Sequence, residues 1–428
     1  MRVGLQSWGT EGDLRPFLAL GAELARRGHT VELVFTGVEG KDFTALAEAA
    51  GVSTRFVDDG YFVAHRDMLA QRARASLQLG SPREQFEQIL LDLMDPLAAS
   101  MLAAARTLAR DSDIVVGHFL AHTAAAAAAE HGKPYVLLAL QPVFASRHYP
   151  PAGAPPLWCP FNPLLWKLAE HVMDAALRPR VNDSRRRCGL APIRRFLPRT
   201  LGDARAVLVA VSPSLFPRPS DWDARLEVCG SLDLAEMTSG WTPDDHVARF
   251  LDAGEPVYLS FGSMFGLDAR QTSESVAVFA DALRLADARG LVQAPASAIA
   301  SAPRDARICY LERAPHAQLF PRCAAIVHHG GAGTTQSALL AGRASVIVPH
   351  AADQFYWADM LYARGVAARP LRRSRLAAKP LAERIRAVLD DASMRARAGA
   401  LSAALRTERG AKRAAELIER AGAQGVRA

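Results

Sequence analysis

A glycine-rich stretch late in the chain, AAIVHHGGAGTTQSALLAG at 324–342, has residue types suited to binding an anion. Its apolar start predicts a buried strand ending at His328, and a helix is predicted to begin near Thr334. Gly330 and Gly333 let the backbone approach a ligand closely, and the N–H groups of a helix start attract negative charge. The spacing matches neither GxxxxGK[ST] nor GxGxxG. The segment therefore predicts a phosphate site, and the alternative is a strand-to-helix turn that binds nothing.

Two further loops are predicted at the carboxyl edge of the same sheet. The first, SFGSM at 260–264, places Ser263 where it can reach the same anion, and two such loops suit a diphosphate. The second, in VIVPHAADQFYWADML at 346–361, presents Asp353 and Gln354 side by side. A carboxylate and an amide can together hydrogen-bond neighbouring hydroxyls of a sugar. The alternative for Asp353 is an N-cap.

The elements that position these loops alternate between strand and helix. Predicted strands are Val3–Ser7, Thr30–Phe35, Ile114–Val116, Tyr135–Leu140, Ala206–Val211, Val257–Phe261, Arg307–Leu311, Ala325–His328 and Ser345–Val348. A chain of 428 residues exceeds what one core usually supports. We therefore expect an α/β protein with two doubly wound Rossmann-like domains facing a cleft. The predicted boundaries are 1–230, 231–395, and a helical tail at 396–428 that packs back toward the first domain.

A proline-rich break, HYPPAGAPPLWCPFNP at 148–163, interrupts this alternation. It is too aromatic for a linker. Trp158, Phe161 and Trp166 predict a loop or helix that lines a hydrophobic pocket, with ordinary core packing as the alternative.

Charge and cysteine content narrow the function classes. The net charge is +7, but residues 178–205 carry +7 and residues 371–428 carry +8, so the remainder is acidic at −8. This distribution weakens a nucleic-acid function. The five Cys form no CxxC pair and favour a reduced, cytosolic setting. No uninterrupted apolar run reaches the roughly 18 residues of a membrane span.

Four segments together make the chain resemble a family 1, nucleotide-sugar-dependent glycosyltransferase of the GT-B fold, similar to antibiotic and sterol or lipid types. They are SWGTEGDLRPFLALGAELARRGH, PVYLSFGSM, LFPRCAAIVHHGGAGTTQSALLAG and VPHAADQFYWAD. Their order and spacing extend over essentially the whole chain. The late block is the most specific to the family.

The resemblance implies a role for each matching position. It assigns the donor phosphates to Ser263, His328, Gly330, Gly333 and Thr334, the donor sugar to Asp353 and Gln354, and the nucleotide base to Arg313, Ala314 and His316. Many relatives carry an aromatic residue where this chain has Arg313. An Arg plane can also stack on a base, so the choice between a uridine and a thymidine nucleotide stays open.

The resemblance also implies that Asp13, which follows the first glycine loop, removes the acceptor's proton. The alternative is that Asp13 caps the helix predicted at Leu14–Arg27, and both roles are compatible. His118 lies where relatives with a catalytic histidine carry a supporting aspartate, so we hypothesise a reversed Asp13–His118 pair. His118 and His122 could instead hold a metal, but a third ligand is missing. The DxD at 221–223 belongs to another fold and is read as coincidence.

The expected function is an inverting transfer of a hexose, with glucose from UDP-glucose as the first choice, to a hydroxyl of a hydrophobic natural product, sterol or lipid. No metal, cofactor or nucleic acid is expected. One alternative is a dTDP-deoxysugar transferase, for example a rhamnosyltransferase. Others are a non-catalytic glycosyltransferase-like auxiliary protein and a dinucleotide oxidoreductase, which lacks its GxGxxG here. The aromatic loop beside the Arg-rich segment also predicts peripheral contact with an anionic membrane, against a solvated basic face.

Overall fold

The chain divides into two compact units. A computed structural model describes residues 1–37, 43–58, 60–65, 67–69, 71–72, 82–151, 154, 159–232, 241–262, 269–350 and 353–423. One unit contains Met1–Leu234 with Glu408–Ala428, and the other contains Ala235–Thr407. The predicted boundary at 395/396 falls inside a continuous helix, Ala392–Thr407, that belongs to the second unit. The tail that joins the first unit therefore starts at Glu408.

The first unit is a parallel sheet covered by helices. Its strands are β1 (Arg2–Gly9), β2 (Thr30–Gly37), β3 (Ser53–Phe56), β4 (Ile114–His118), β5 (Tyr135–Ala139), β6 (Ala206–Val209) and β7 (Leu226–Val228). They lie in the order β3-β2-β1-β4-β5-β6-β7. The helices are α1 (Glu11–Arg26), α2 (Thr44–Ala49), α3 (Tyr61–Ala64), α4 (Pro82–Leu93), α5 (Ala98–Asp111), α6 (His122–Glu130), α7 (Asn162–Arg187) and α8 (Phe196–Asp203). The predicted start of the first helix at Leu14 is three residues late, because Thr10 begins its N-terminus.

The second unit has the same plan on a smaller sheet. Its strands are β8 (Val257–Leu259), β9 (Gly290–Gln293), β10 (Ile308–Leu311), β11 (Ala325–His328) and β12 (Ser345–Ile347), in the order β10-β9-β8-β11-β12 and all parallel. Its helices are α9 (Asp245–Asp252), α10 (Ala269–Ala286), α11 (Ala296–Ala300), α12 (His316–Leu319), α13 (Ala332–Leu340), α14 (Gln354–Ala363), α15 (Ala378–Asp390) and α16 (Ala392–Thr407). A last helix, α17 (Gly410–Ala423), belongs to the first unit.

Apolar strands explain why both sheets lie between helices. Every residue of β4, β5 and β11 is buried, as expected for parallel strands covered on both faces. Among the described residues one helical stretch, Arg83–Asp111, is apolar enough by length and composition to cross a membrane. Its second half packs Met101 and Leu108 into the core of the first unit, as a core helix does.

Helix α17 is fixed to the first unit by a polar cluster. The Arg27 guanidinium donates two hydrogen bonds to Glu419, at 2.9 and 2.6 Å, and His29 Nε2 lies 2.8 Å from the same carboxylate. These partners lower the pKa of Glu419 to about 2. At the start of α17 the backbone of Gly410 packs directly on Gly230 and Ser231, where a Cβ on Gly410 would lie 2.1 Å from the Ser231 carbonyl oxygen.

The Arg-rich segment 178–205 folds into the end of α7 and into α8, where most of its guanidinium groups form ion pairs. The pairs join Arg180 to Glu87 and Asp95, Arg185 and Arg199 to Asp203, Arg186 and Arg187 to Asp183, and Arg195 to Glu170 and Asp174. Four of these carboxylates lie outside the segment in sequence, so its own composition overstates the charge it presents. Contact with an anionic membrane stays a prediction, and these ion pairs do not favour it.

Candidate active site

Each sheet changes direction at one point, and the predicted site residues follow the strands at that point. In the first sheet the order reverses between β1 and β4, and in the second between β8 and β11. Open α/β sheets bind ligands at the carboxyl ends of the strands that flank such a reversal. Asp13 and His118 follow or end β1 and β4, whereas Gly262 and His328 follow or end β8 and β11. The two candidate sites therefore occupy equivalent positions in their own sheets.

Asp13 forms a capping box at the start of α1. Its Oδ2 accepts hydrogen bonds from the Thr10 backbone N–H at 2.7 Å and from the Thr10 hydroxyl at 3.0 Å. Gly9 makes room for this carboxylate, because a Cβ there would lie 2.2 Å from Oδ2 and its φ is +143°. Both predicted roles of Asp13 are compatible with this geometry, since the cap uses Oδ2 and the other oxygen, Oδ1, faces His118.

His118 is buried beside that second oxygen. Its Nε2 lies 3.8 Å from Asp13 Oδ1, and its Nδ1 accepts a hydrogen bond from the Leu120 N–H at 3.3 Å. Burial lowers the pKa of His118, and the charge of Asp13 opposes this effect. The ring is therefore neutral at pH 7, and the bond from Leu120 assigns its proton to Nε2, toward Asp13. The structure brings the hypothesised pair together without showing which chemistry it performs.

His122 has a different environment. Its Nδ1 lies 3.0 Å from the Ser184 hydroxyl on α7, and burial lowers its pKa to about 4. No group of three or more His, Cys, Asp or Glu side chains in the described ranges is placed to hold a metal ion. In the DxD, Asp221 accepts from the Ser146 hydroxyl and the Arg147 N–H, and Asp223 accepts from Arg225. Both carboxylates thus serve local structure.

In the second unit, His328 ends β11 as a fully buried side chain. Its Nδ1 accepts a hydrogen bond from the Gly330 N–H at 3.1 Å, and burial lowers its pKa well below the usual value. The neutral ring therefore carries its proton on Nε2. Within the described residues this Nε2 has no hydrogen-bond partner. A buried donor without a partner costs about 1–3 kcal/mol, so a ligand oxygen placed here would recover free energy.

Gly330 brings the glycine turn against the start of α14. Its φ is +92°, and a Cβ there would lie 2.9 Å from Ile347 Cγ2 and 3.1 Å from the Gln354 carbonyl oxygen. Asp353 occupies the N-cap position of α14, and its Oδ2 accepts a hydrogen bond from the Trp357 indole at 3.2 Å. Gln354 Oε1 accepts from the His350 N–H at 2.8 Å. The predicted phosphate and sugar residues are thus adjacent in one unit.

Helix α13 begins at Ala332, two residues before the predicted start at Thr334, with Gly331 as its N-cap residue. Gly333 is exposed, and a Cβ there would meet no atom within 4 Å. Thr334 is half-buried in the first turn, whereas its neighbour Thr335 is fully buried with a hydroxyl that has no partner among the described residues. The first turn therefore presents exposed backbone where the phosphate turn was predicted.

The three predicted base-binding residues follow β10. Arg313 is exposed, Ala314 packs against the core beneath it, and His316 stacks on Phe320 with ring centroids 4.3 Å apart. The exposed guanidinium and the adjacent aromatic pair provide planar groups at this edge of the sheet.

The predicted acceptor residues separate into three environments. Trp158 lies outside the described residues, as does Ser263 of the phosphate set. Phe161 is 54% exposed at the start of α7. Trp166 is a core residue instead of lining a loop, because it is 3% exposed, its indole donates to the Tyr149 carbonyl oxygen at 2.8 Å, and it packs on the Tyr149 ring. For Trp166 the core alternative is therefore correct.

Two buried imidazoles near the phosphate turn were not singled out by the sequence. His329 lies between the two glycine loops, where a Cβ on Gly331 would be 2.5 Å from its Nε2 and one on Gly262 would be 3.2 Å from its Cε1. His350 packs its ring on Phe261 with centroids 4.7 Å apart. Burial lowers the pKa of His329 to about 4 and, with the nearby Arg373, that of His350 to about 3. The doubled HH was the available signal for His329.

Comparison with known proteins decides the family. A model described as the erythromycin biosynthesis protein CIII-like C-terminal domain matches residues 280–419. The chain is 32% identical over 422 residues to the O-mycaminosyltylonolide 6-deoxyallosyltransferase of Streptomyces fradiae, covering 94% of this chain and 93% of that protein. The chain belongs to the family 1 glycosyltransferases. The family that the four sequence segments predicted is thereby confirmed.

Other matches extend this result to the fold. A sterol 3-beta-glucosyltransferase of Arabidopsis thaliana is 29% identical over 407 residues, which cover 91% of this chain and 63% of the plant protein. The crystal structure of the kitacinnamycin glycosyltransferase matches with a TM-score of 0.70 at 20% identity, covering 98% of both chains. That of the glycosyltransferase VinC in complex with dTDP matches at 0.68 and 18% identity, covering 99% of this chain and 100% of that one. This glycosyltransferase therefore has the predicted GT-B fold.

Replacing Gly330 of the glycosyltransferase by Ala is expected to destabilise the second unit. A side chain at positive φ costs about 1–3 kcal/mol, and its Cβ would also displace Ile347 or Gln354. We expect a fall of about that size in the free energy of unfolding, measured by chemical denaturation, together with weaker binding of a nucleoside diphosphate in calorimetry.

Gly333→Ala is the matched control, because this glycine has open space around it. Ala in the first turn of α13 leaves stability unchanged or raises it by about 0.5–1 kcal/mol. If the diphosphate rests against the exposed backbone, the same variant binds nucleoside diphosphate more weakly. Undiminished binding by Gly333→Ala would show that the ligand does not approach this turn.

Proposed function

We propose that this glycosyltransferase transfers a hexose, with inversion and without a metal ion or cofactor, from a nucleoside diphosphate sugar to a hydroxyl of a hydrophobic natural product, sterol or lipid. UDP-glucose is the first choice of donor. The observation that carries the proposal is the unpartnered Nε2 donor of buried His328, beside a glycine turn that packs against Asp353 and Gln354.

The donor half of the proposal requires stabilisation of negative charge as the diphosphate leaves. Three features of the second unit supply it: the N-terminus of α13, the Gly330 turn and the Nε2–H of His328. Because His328 is neutral, it donates a hydrogen bond without adding a full charge. Protein groups that already point at the ligand pay little reorganisation when the charge develops.

The sugar half rests on Asp353 and Gln354. Each side chain is oriented by a hydrogen bond, from the Trp357 indole and the His350 N–H respectively. A carboxylate accepts hydrogen bonds, whereas an amide both accepts and donates, so the pair suits vicinal hydroxyls of a hexose. This is the reason for preferring a fully hydroxylated sugar.

The proposed step is a single displacement. The acceptor oxygen bonds to the anomeric carbon from the side opposite the nucleotide, the bond from that carbon to the diphosphate oxygen breaks, and the configuration inverts. Asp13 takes the acceptor proton, and its Oδ1 is the oxygen that the capping box does not use. The neutral His118 positions this oxygen through Nε2, leaving the carboxylate charge in place.

The proposed acceptor is apolar. Phe161, Leu164 and Leu168 are 54%, 65% and 63% exposed at positions one and two turns apart on one side of α7. An exposed apolar stripe of this kind supports binding of a hydrophobic molecule. We also propose a reducing, cytoplasmic setting, supported by four free buried cysteines among the described residues, Cys188, Cys229, Cys309 and Cys323.

A second candidate is transfer of a deoxysugar from a dTDP-sugar. It is favoured by the relative from Streptomyces fradiae, which is named for 6-deoxyallosyl transfer, and by the dTDP complex of VinC. Arg313 leaves the base open, as it replaces the aromatic residue expected from the resemblance.

A donor screen tests the proposed function and separates the two candidates. UDP-glucose, other UDP-hexoses, dTDP-glucose and dTDP-rhamnose are compared by thermal shift, and each stabilising donor is then incubated with hydroxylated aglycones while nucleotide release is followed. A selective rise in melting temperature with UDP-glucose, followed by UDP release, is expected. Preference for dTDP-rhamnose selects the second candidate, and a protein that no UDP- or dTDP-sugar stabilises contradicts both.

Substitution of Asp13 by Asn tests the base. Removing a general base lowers turnover by about 10²- to 10⁴-fold, whereas donor binding in the other unit is expected to stay unchanged. His118→Ala is expected to lower turnover on the order of 10- to 100-fold by releasing Asp13 from its position. Both are read from kcat and donor KM.

His131→Ala is the matched control for this pair, since it removes a partly exposed histidine just after α6. It is expected to keep the turnover of the unmodified protein. If His118→Ala also keeps full turnover while Asp13→Asn abolishes it, the positioning role of His118 is wrong.

A further inference from the structure

A partly buried cation, Arg373, lies beside the loops that carry the donor-site residues. Its backbone N–H donates to the Pro349 carbonyl oxygen at 3.3 Å, which fixes the residue to the segment that leaves β12. Its guanidinium carbon lies 5.6 Å from the centroid of the Phe261 ring, and Phe261 immediately precedes Gly262. Arg373 is therefore placed at the carboxyl edge of the second sheet, where β8 and β12 end.

The guanidinium is held by a neutral group. One terminal nitrogen donates to the Ser275 hydroxyl at 2.9 Å, and Ser275 belongs to α10. No carboxylate of the described residues forms an ion pair with Arg373, and the nearest influential one, Glu274, is bonded to Arg270 at 3.0 Å. Burial lowers the pKa of Arg373, with Glu274 opposing the effect, yet a guanidinium stays charged in a protein.

The neighbouring titratable groups leave this charge uncompensated. His350 lies between Arg373 and the glycine turn in its contacts, since its ring packs on the same Phe261 and faces His329 at 6.4 Å. Both imidazoles are neutral at pH 7 because burial lowers their pKa values. A cation that has lost part of its hydration and has only a hydroxyl partner is costly, and an anionic ligand offsets that cost.

We propose that Arg373 is a further donor-site residue, whose guanidinium binds the diphosphate of the nucleotide and stabilises it as it leaves. The inference rests on the proposed function. A helix N-terminus contributes only about half a positive charge, and the nearby histidines contribute none, whereas Arg373 supplies a full one. The Ser275 bond and the Phe261 contact aim the side chain before ligand arrives.

The test compares ligands with and without the diphosphate. Arg373→Met keeps an unbranched apolar stem against Phe261 and removes the charge, Arg373→Lys keeps a charge, and Arg372→Gln is the control because it alters the exposed neighbour. Binding of UDP, dTDP, uridine and thymidine is measured by calorimetry, with ligand-free thermal unfolding as the check on folding. Arg373→Met is expected to weaken UDP or dTDP binding about 10- to 100-fold and nucleoside binding by less than about twofold. Arg373→Lys is expected to fall between Arg373→Met and the unmodified protein.

Two outcomes overturn the proposal on its own. In one, Arg373→Met binds the diphosphates as tightly as the unmodified protein. In the other, it loses nucleoside and diphosphate affinity equally along with thermal stability, which shows a packing role, or Arg372→Gln weakens diphosphate binding equally. A protein that binds neither UDP nor dTDP before any substitution overturns the proposed function and this inference together.

Discussion

The donor half of this glycosyltransferase depends on the close packing of Gly330 between Ile347 and the backbone of Gln354. No side chain fits at this residue, and its φ of +92° is one that other residues rarely adopt. The contact holds the turn that follows β11 against the segment that follows β12, so the phosphate and sugar residues share one surface. The Gly330 N–H also fixes the tautomer of His328 and leaves its Nε2–H as a buried donor for a ligand.

The first unit solves a similar problem at the equivalent edge of its own sheet. Gly9 again makes room for a functional group, here the Asp13 carboxylate, and a backbone N–H again sets the tautomer of a buried histidine, here His118. The capping box explains how one carboxylate combines structure and chemistry, because Thr10 engages one oxygen and leaves the second toward His118. Rigid placement of that oxygen is what a general base requires.

Much of this arrangement follows from local sequence, because buried parallel strands are continuous apolar runs followed by glycine loops. Ala325–His328 was predicted at its exact bounds for this reason. Strands β3, β7 and β9 were missed, since STRF, LEV and GLVQ are too short or too polar to show periodicity. Trp166 and Arg373 could not be assigned from sequence, as their environments arise where distant segments meet: Tyr149 for the former, Phe261 and Ser275 for the latter.

The most direct test of the account is a crystal structure of the protein with UDP or dTDP bound. The account predicts a diphosphate oxygen at about 2.7–3.2 Å from His328 Nε2, with the phosphates against the Gly330 turn and the first turn of α13. It would be contradicted by a nucleotide bound elsewhere in the second unit, or by one bound at this edge of the sheet while His328 Nε2 still lacks a partner.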